Sequence, residues 1–72
     1  MSRRSKLLRQ RRDEAKRAAR EIDDIRGLLG NAYRSFNSTS DPALLDAYIF
    51  EINALMARYD YALRRAKAHY DM

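Results

Sequence analysis

Apolar residues recur at alternating spacings of three and four residues on both sides of one short polar segment, "NSTSDP" at residues 37–42. This spacing puts the apolar side chains on one face of an α-helix and is typical of helices that pack along their length. The residues before the segment are Ala15, Ala18, Ile22, Ile25, Leu29, Ala32 and Phe36, and those after it are Leu45, Tyr48, Ile52, Leu55, Tyr59, Ala62 and Ala66. The pattern predicts two long helices joined by a single turn.

The polar segment also carries the start signal of the second helix. Asp41 is expected to cap the free amide groups of that helix, and Pro42 to occupy its first position, where the missing N–H of proline costs nothing. The predicted elements are a first helix at about residues 3–37, a turn at about 38–41 and a second helix at about 42–70, within one helical-hairpin domain of residues 1–72.

Gly27 and Gly30 lie inside the first predicted helix. Each glycine costs about 1 kcal/mol relative to alanine in a helix interior, so a turn at residues 26–31 is the rival interpretation. Ile25 and Leu29 nevertheless stay in register with the apolar residues that follow, which a break would disturb. We therefore predict a continuous helix, in which the two glycines either let another helix approach closely or mark a bend.

Folding the chain at about residue 39 gives an all-α fold, an antiparallel two-helix hairpin with coiled-coil-like packing. The end near the turn would be filled by bulky side chains and the open end by alanines, which bury less area and stabilise less. Two helices cannot cover the whole apolar surface, so we predict a homodimer that forms a four-helix bundle. A monomer with a short third helix around Leu7 and Leu8 is the alternative. The side chains expected beside the seam, and partly exposed in one hairpin, are Leu28, Tyr33, Ile49, Met56, Leu63 and Tyr70.

The composition argues against several chemistries. The chain has no cysteine and one histidine, His69, which is expected to be exposed; this excludes disulfides and the usual structural zinc sites. No apolar run reaches the roughly 18 residues that a membrane span needs, and the absence of cysteine fits a reducing cytoplasm. No nucleophile and base stand in a recognisable arrangement, and Glu21, Asp23 and Asp24 are expected to form a solvated acidic patch. We expect a cytoplasmic protein that is not an enzyme and has no catalytic residues, cofactor or metal.

The second predicted helix carries a family resemblance. Residues 41–67, "DPALLDAYIFEINALMARYDYALRRAK", resemble the YaaL family of small proteins from Gram-positive, spore-forming bacteria, most specifically in "EINALMARYDYALRRAK". The resemblance covers about the C-terminal half of the chain. It implies a short cytoplasmic helical protein whose biochemical role is not assigned, and it transfers no catalytic residue.

Charge is distributed unevenly along the chain. Residues 1–20 hold nine basic and two acidic side chains, a net +7; residues 21–56 hold two basic and six acidic ones, a net −4; and residues 57–72 hold four basic and two acidic ones, a net +2. In a hairpin the first and last segments lie at the same end, which predicts a basic end and an acidic end. Cations near a helix N-terminus oppose the helix dipole, so the basic run is not explained by helix stability. Arg4 and Arg11 are the basic residues of this run that point along the seam, so the pairing of the two helices is expected to fray before Ala15, with residues 1–12 as the frayed segment.

The basic run and the apolar edge indicate two functions. The leading hypothesis is a small interaction or adaptor module that self-associates through Tyr33, Ile49, Met56 and Leu63, or buries this edge against a protein partner. The rival is a nucleic-acid-binding protein that places a basic helix surface against RNA or DNA phosphates. Its possible phosphate-binding residues are Arg9, Arg12, Lys16, Arg17 and Arg20. A solvated basic face and contact with anionic membranes remain open, and Tyr61 is the one tyrosine expected to point outward.

Overall fold

The computed structural model describes the backbone of residues 2–70 and the side chains of residues 2–69; Met1, Asp71, Met72 and the side chain of Tyr70 lie outside the described part. Helix α1 is Arg3–Ser38 and helix α2 is Pro42–Tyr70. The two helices pack against each other in opposite directions, because contacts between them join Tyr33 to Met56 and Glu21 to Arg65. The result is a rod with extents of 59 × 15 × 14 Å. The predicted all-helical fold of two packed helices is confirmed.

Ser2 is the capping residue of helix α1, which begins at Arg3. The Ser2 side chain accepts a hydrogen bond from the Ser5 backbone N–H at 3.2 Å. The helix is continuous from Arg3, although the side chains of residues 2–14 are all exposed. Residues 3–12 are part of this helix, as its predicted bounds have them, and the expectation that they fray stays a prediction. Burial begins at Ala15, where the predicted seam begins.

The turn between the helices is closed by Asp41. Its Oδ1 accepts hydrogen bonds from the backbone N–H groups of Ala43 and Leu44 at 2.9 and 3.3 Å. These bonds satisfy two of the amide groups that a helix start leaves without partners. The predicted cap is confirmed, and it fixes the start of α2 at Pro42.

The core follows the predicted seam. Every one of the fourteen seam residues is buried or half-buried. The buried cluster is Ile25, Ala32, Ile52, Leu55 and Ala62, with Ile22, Leu29, Phe36 and Tyr59 packed against it. Ala18 and Ala66 are also buried, at 1% and 8% exposure, and lie toward the open end. The core is therefore a single line of side chains, bulky near the turn and small at the open end.

The two glycines do not interrupt α1. The helix runs through both of them, and neither has a positive φ. A Cβ added to Gly27 would meet no neighbouring atom within 4 Å, and the atoms nearest to one added to Gly30 belong to the Arg34 side chain. Within this hairpin, close approach of α2 therefore does not explain either glycine.

His69 differs from its expected exposure. Its side chain is 22% exposed, and its Nδ1 lies 3.8 Å from Glu14 Oε2 across the helix pair. The expectation was wrong because α2 is long enough to stay alongside α1 up to its last turn. The predicted exposure of Leu28, Tyr33, Ile49, Met56 and Leu63 is confirmed, since each is 42–52% exposed.

Candidate interaction surfaces

An apolar groove opens along one side of the helix pair near the turn. Its exposed walls are Tyr33 on α1 and Ile49 and Met56 on α2, and these three residues are called the groove face below. The groove has a volume of about 370 Å³, with Phe36, Ile52, Asn37 and Asn53 as its other lining residues. Tyr33 Oη lies 3.9 Å from Met56 Sδ across the opening. An apolar groove between two helices can bind the apolar side of another helix.

Three of the four predicted interface residues thus come together in one place. Leu63 does not line the groove. It lies seven residues after Met56 on the same helix, so it extends the same side of α2 by two turns, and it is 42% exposed.

A second cleft lies on the opposite side of the helix pair. Arg17 and Arg20 of α1 line it together with Arg58 of α2, and these three residues are called the arginine cleft. Its volume is about 310 Å³, and Glu21, Asp24, Ile25 and Leu28 are its other lining residues. Three guanidinium groups can bind phosphate oxygens in a forked geometry, but the two carboxylates offset much of their charge.

The structure divides the predicted phosphate-binding residues into two groups. Arg17 and Arg20 line the arginine cleft, whereas Arg9, Arg12 and Lys16 do not. All five are exposed on α1. Arg58 was not among the predicted residues, because cations late in a helix are common for reasons of helix stability alone. Only the pairing of the two helices reveals that it lies beside Arg17 and Arg20.

Polar side chains beside the buried seam make ion pairs and hydrogen bonds. Arg65 Nη1 lies 3.3 Å from Glu21 Oε2, so Glu21 is not the purely solvated acid that the sequence suggested. Arg26 donates hydrogen bonds to Tyr59 Oη from Nε at 3.3 Å and from Nη2 at 3.2 Å. The bond to Tyr59 is the main reason that the pKa of Arg26 is raised above its ordinary value. On α2 alone, Arg64 pairs with Asp60 at 3.3 Å, as their four-residue spacing predicts.

Two further observations concern sites that the described residues do not form. Between residues 2 and 70, no three histidine or acidic side chains come together as metal ligands. Neither α1 nor α2, over its described length, has a stretch apolar enough to cross a membrane.

The sequence analysis missed the side of α2 that faces away from α1. Phe50 is 75% exposed there, and Tyr61, which was expected to point outward, is 54% exposed. The Arg65 guanidinium carbon lies 5.8 Å from the centroid of the Tyr61 ring. The signal for this surface was present in the sequence as a second alternating spacing of apolar residues in α2, which the buried seam obscured.

Comparisons of the chain with protein-family models, with curated proteins and with solved structures gave no match. The resemblance to the YaaL family therefore stays a prediction.

Proposed function

We propose that this protein is a non-enzymatic helical interaction module of the cytoplasm that self-associates by burying its groove face. The observation that carries the proposal is the convergence of Tyr33, Ile49 and Met56 on one open apolar groove. Each of these side chains is about half exposed in the single hairpin. Burial of such side chains against a second hairpin is favourable by about 25 cal/mol for each Å² of apolar surface removed from water.

The small core supports the same proposal. A hairpin of two helices has one line of buried residues, and at this size a core rarely supplies more than about 3–5 kcal/mol of stability. The chain has no cysteine with which to add a disulfide. Packing two hairpins through their groove faces adds buried area where the bulky side chains are already clustered, and gives the four-helix bundle expected from the sequence.

A Met56→Lys substitution tests the proposal. We expect the dissociation constant of the groove contact to rise at least about tenfold, because an ammonium group would be buried without a partner. The measurement is the average mass by sedimentation equilibrium across a range of protein concentrations.

The matched control is Leu28→Lys, which introduces the same group at a side chain of similar exposure outside the groove, 44% against 52%. The control should keep the association of the unaltered protein, and circular dichroism should show equal helicity for both variants. An unaltered protein that stays monomeric at high concentration, or a Met56→Lys variant with unchanged mass, would refute self-association through the groove.

Binding of nucleic acid is the second candidate function, and the arginine cleft is the observation that favours it. Arg17, Arg20 and Arg58 come from two helices and converge on one cleft at the basic end of the rod. Further cations, Arg9, Arg12 and Lys16, continue along α1 from this cleft. Together they could follow the phosphates of an RNA or DNA strand, with affinity that falls as salt rises.

Fluorescence anisotropy with short labelled RNA and DNA tests this candidate. If phosphates bind here, replacing Arg17, Arg20 and Arg58 by glutamine should lower the slope of log affinity against log salt by about 2–3, roughly one unit for each lost contact. Arg64→Gln is the control, because Arg64 is already paired with Asp60. Absence of binding at low salt would remove this candidate and leave the basic charge as a solvated face.

A further inference from the structure

The side of α2 that faces away from α1 has the spacing of a second packing seam. The residues Ala43, Ala47, Phe50, Ala54, Ala57, Tyr61, Arg64 and Ala68 alternate spacings of four and three, and they are called the outer face below. All of them are exposed. Phe50 and Tyr61, at 75% and 54%, are the two most exposed large apolar side chains of the described chain. A helix that is apolar on opposite sides is typically covered on both.

We infer that a second copy of this chain docks on the outer face, with the two α2 helices antiparallel about a two-fold axis between Ala54 and Ala57. The inference rests on one part of the proposed function, that the protein self-associates, and it adds a second contact surface that is separate from the groove face. A two-fold contact needs a surface that is complementary to itself.

The residue types of the outer face meet that requirement. About an axis between Ala54 and Ala57, Ala54 lies opposite the partner's Ala57, and Phe50 lies opposite the partner's Tyr61. The same symmetry places Ala43 opposite the partner's Ala68 and Ala47 opposite the partner's Arg64, so the seam is apolar over its central positions and polar at Arg64. Alanines at the centre let the two helices approach closely, while one aromatic pair on each side of the axis supplies most of the buried area. The contact would extend over residues 43–68, about 38 Å of helix.

Charges on either side of the outer face determine the direction of the partner. In an antiparallel helix pair, Glu51 lies beside the partner's Arg58, and Asp46 lies beside the partner's Lys67; the symmetry gives each pair twice. A parallel pair would instead bring Asp46 beside the partner's Glu51 and would place the two basic ends together, and its attraction between Asp60 and the partner's Arg65 would compete with the ion pairs that both residues already make within the hairpin. Charged residues that flank an apolar seam set partner orientation in this way.

The ion pairs within the hairpin leave these same four residues available. Asp46, Glu51, Arg58 and Lys67 make no ion pair with another described residue. The other flanking charges, Asp60 and Arg65, are already paired within the hairpin. The charges without a partner are therefore those that the antiparallel arrangement would neutralise.

Exchanging the charges of residues 51 and 58 tests whether a second copy binds the outer face and whether its α2 helix runs antiparallel. Glu51→Lys and Arg58→Glu should each raise the dissociation constant of this contact about tenfold, since each change replaces two attractions by two repulsions at the surface. The double variant should recover most of the lost affinity, because Lys and Glu would again face each other between the two copies. Residues 51 and 58 are seven positions apart on one helix and do not pair within a chain. Asp23→Lys, which changes an exposed acid on α1, is the control and should have no effect.

Sedimentation equilibrium of these variants beside Phe50→Lys and Met56→Lys separates this inference from the proposed function. We expect Phe50→Lys to lose the outer-face contact, Met56→Lys to lose the groove contact, and the protein carrying both changes to be a single hairpin with unchanged helicity. A loss of mass in Met56→Lys but not in Phe50→Lys would overturn the outer-face contact and keep the proposed function. A loss of mass in Phe50→Lys alone would overturn the groove contact and keep the outer-face contact. A double charge variant as weak as the single ones, or weaker, would overturn the antiparallel arrangement, as would an unaltered protein that is monomeric.

Discussion

An Ile25→Ala variant is expected to be mostly unfolded under conditions in which the unaltered protein is folded. Ile25 is the largest side chain of the core with almost no exposure, 1%, and it lies in the middle of the single line of buried residues. Truncation of such a residue lowers the free energy of unfolding by about 2–5 kcal/mol, because apolar contact is lost and a cavity remains. A core of this size supplies about 3–5 kcal/mol in total. The loss is therefore comparable with the whole stability of a single hairpin.

Urea titration followed by circular dichroism measures this effect. Leu28→Ala is the matched control, since Leu28 lies three residues away on the same helix and is 44% exposed. It should lose less than about 1 kcal/mol, because half of its side chain is already in contact with water. All proteins should be compared at one concentration, since association adds to the apparent stability. Equal losses in the two variants would mean that the seam is not the core.

The fold could be predicted because local patterns in the sequence indicate both the seam and the turn. Alternating spacings of three and four place residues on one helix face whatever the partner, and a cap such as Asp41 acts on backbone groups two and three residues away. The continuity of α1 through the two glycines was also predicted correctly, because register across them outweighs a cost of about 1 kcal/mol each. These features depend on neighbours in the sequence and need no knowledge of the tertiary structure.

The candidate surfaces were predictable only in part, because they depend on which flanks of two helices meet. Tyr33, Ile49 and Met56 were found as seam-flanking residues, and the structure joins them in one groove. Arg58 was set aside, since its position beside Arg17 depends on the pairing of the helices. The outer face was missed for a different reason: once one spacing in α2 had been assigned to the core, the second was not sought.

A different prediction concerns the open end of the rod, where the buried seam consists of alanines. Ala18 and Ala62 are 1% and 0% exposed. A larger side chain at either position would have no space. An Ala18→Leu variant should therefore lose about 1–3 kcal/mol, the usual cost of overfilling a packed core. For a domain of this size, each 1 kcal/mol corresponds to a shift of about 4–8 °C in the midpoint of thermal unfolding.

Ala19→Leu is the matched control, because Ala19 is the next residue on the same helix and is exposed. Leucine and alanine have similar helix propensities, so its midpoint should change little. Equal midpoints for the two variants would show that the helices are not in contact at the open end.

The same two variants also test the arginine cleft, because Arg17 and Arg20 lie on either side of Ala18 and Ala19 in α1, while Arg58 lies on α2. If Ala18→Leu pushes the helices apart, the three guanidinium groups separate as well. Any phosphate binding that depends on their convergence should then weaken in Ala18→Leu and persist in Ala19→Leu.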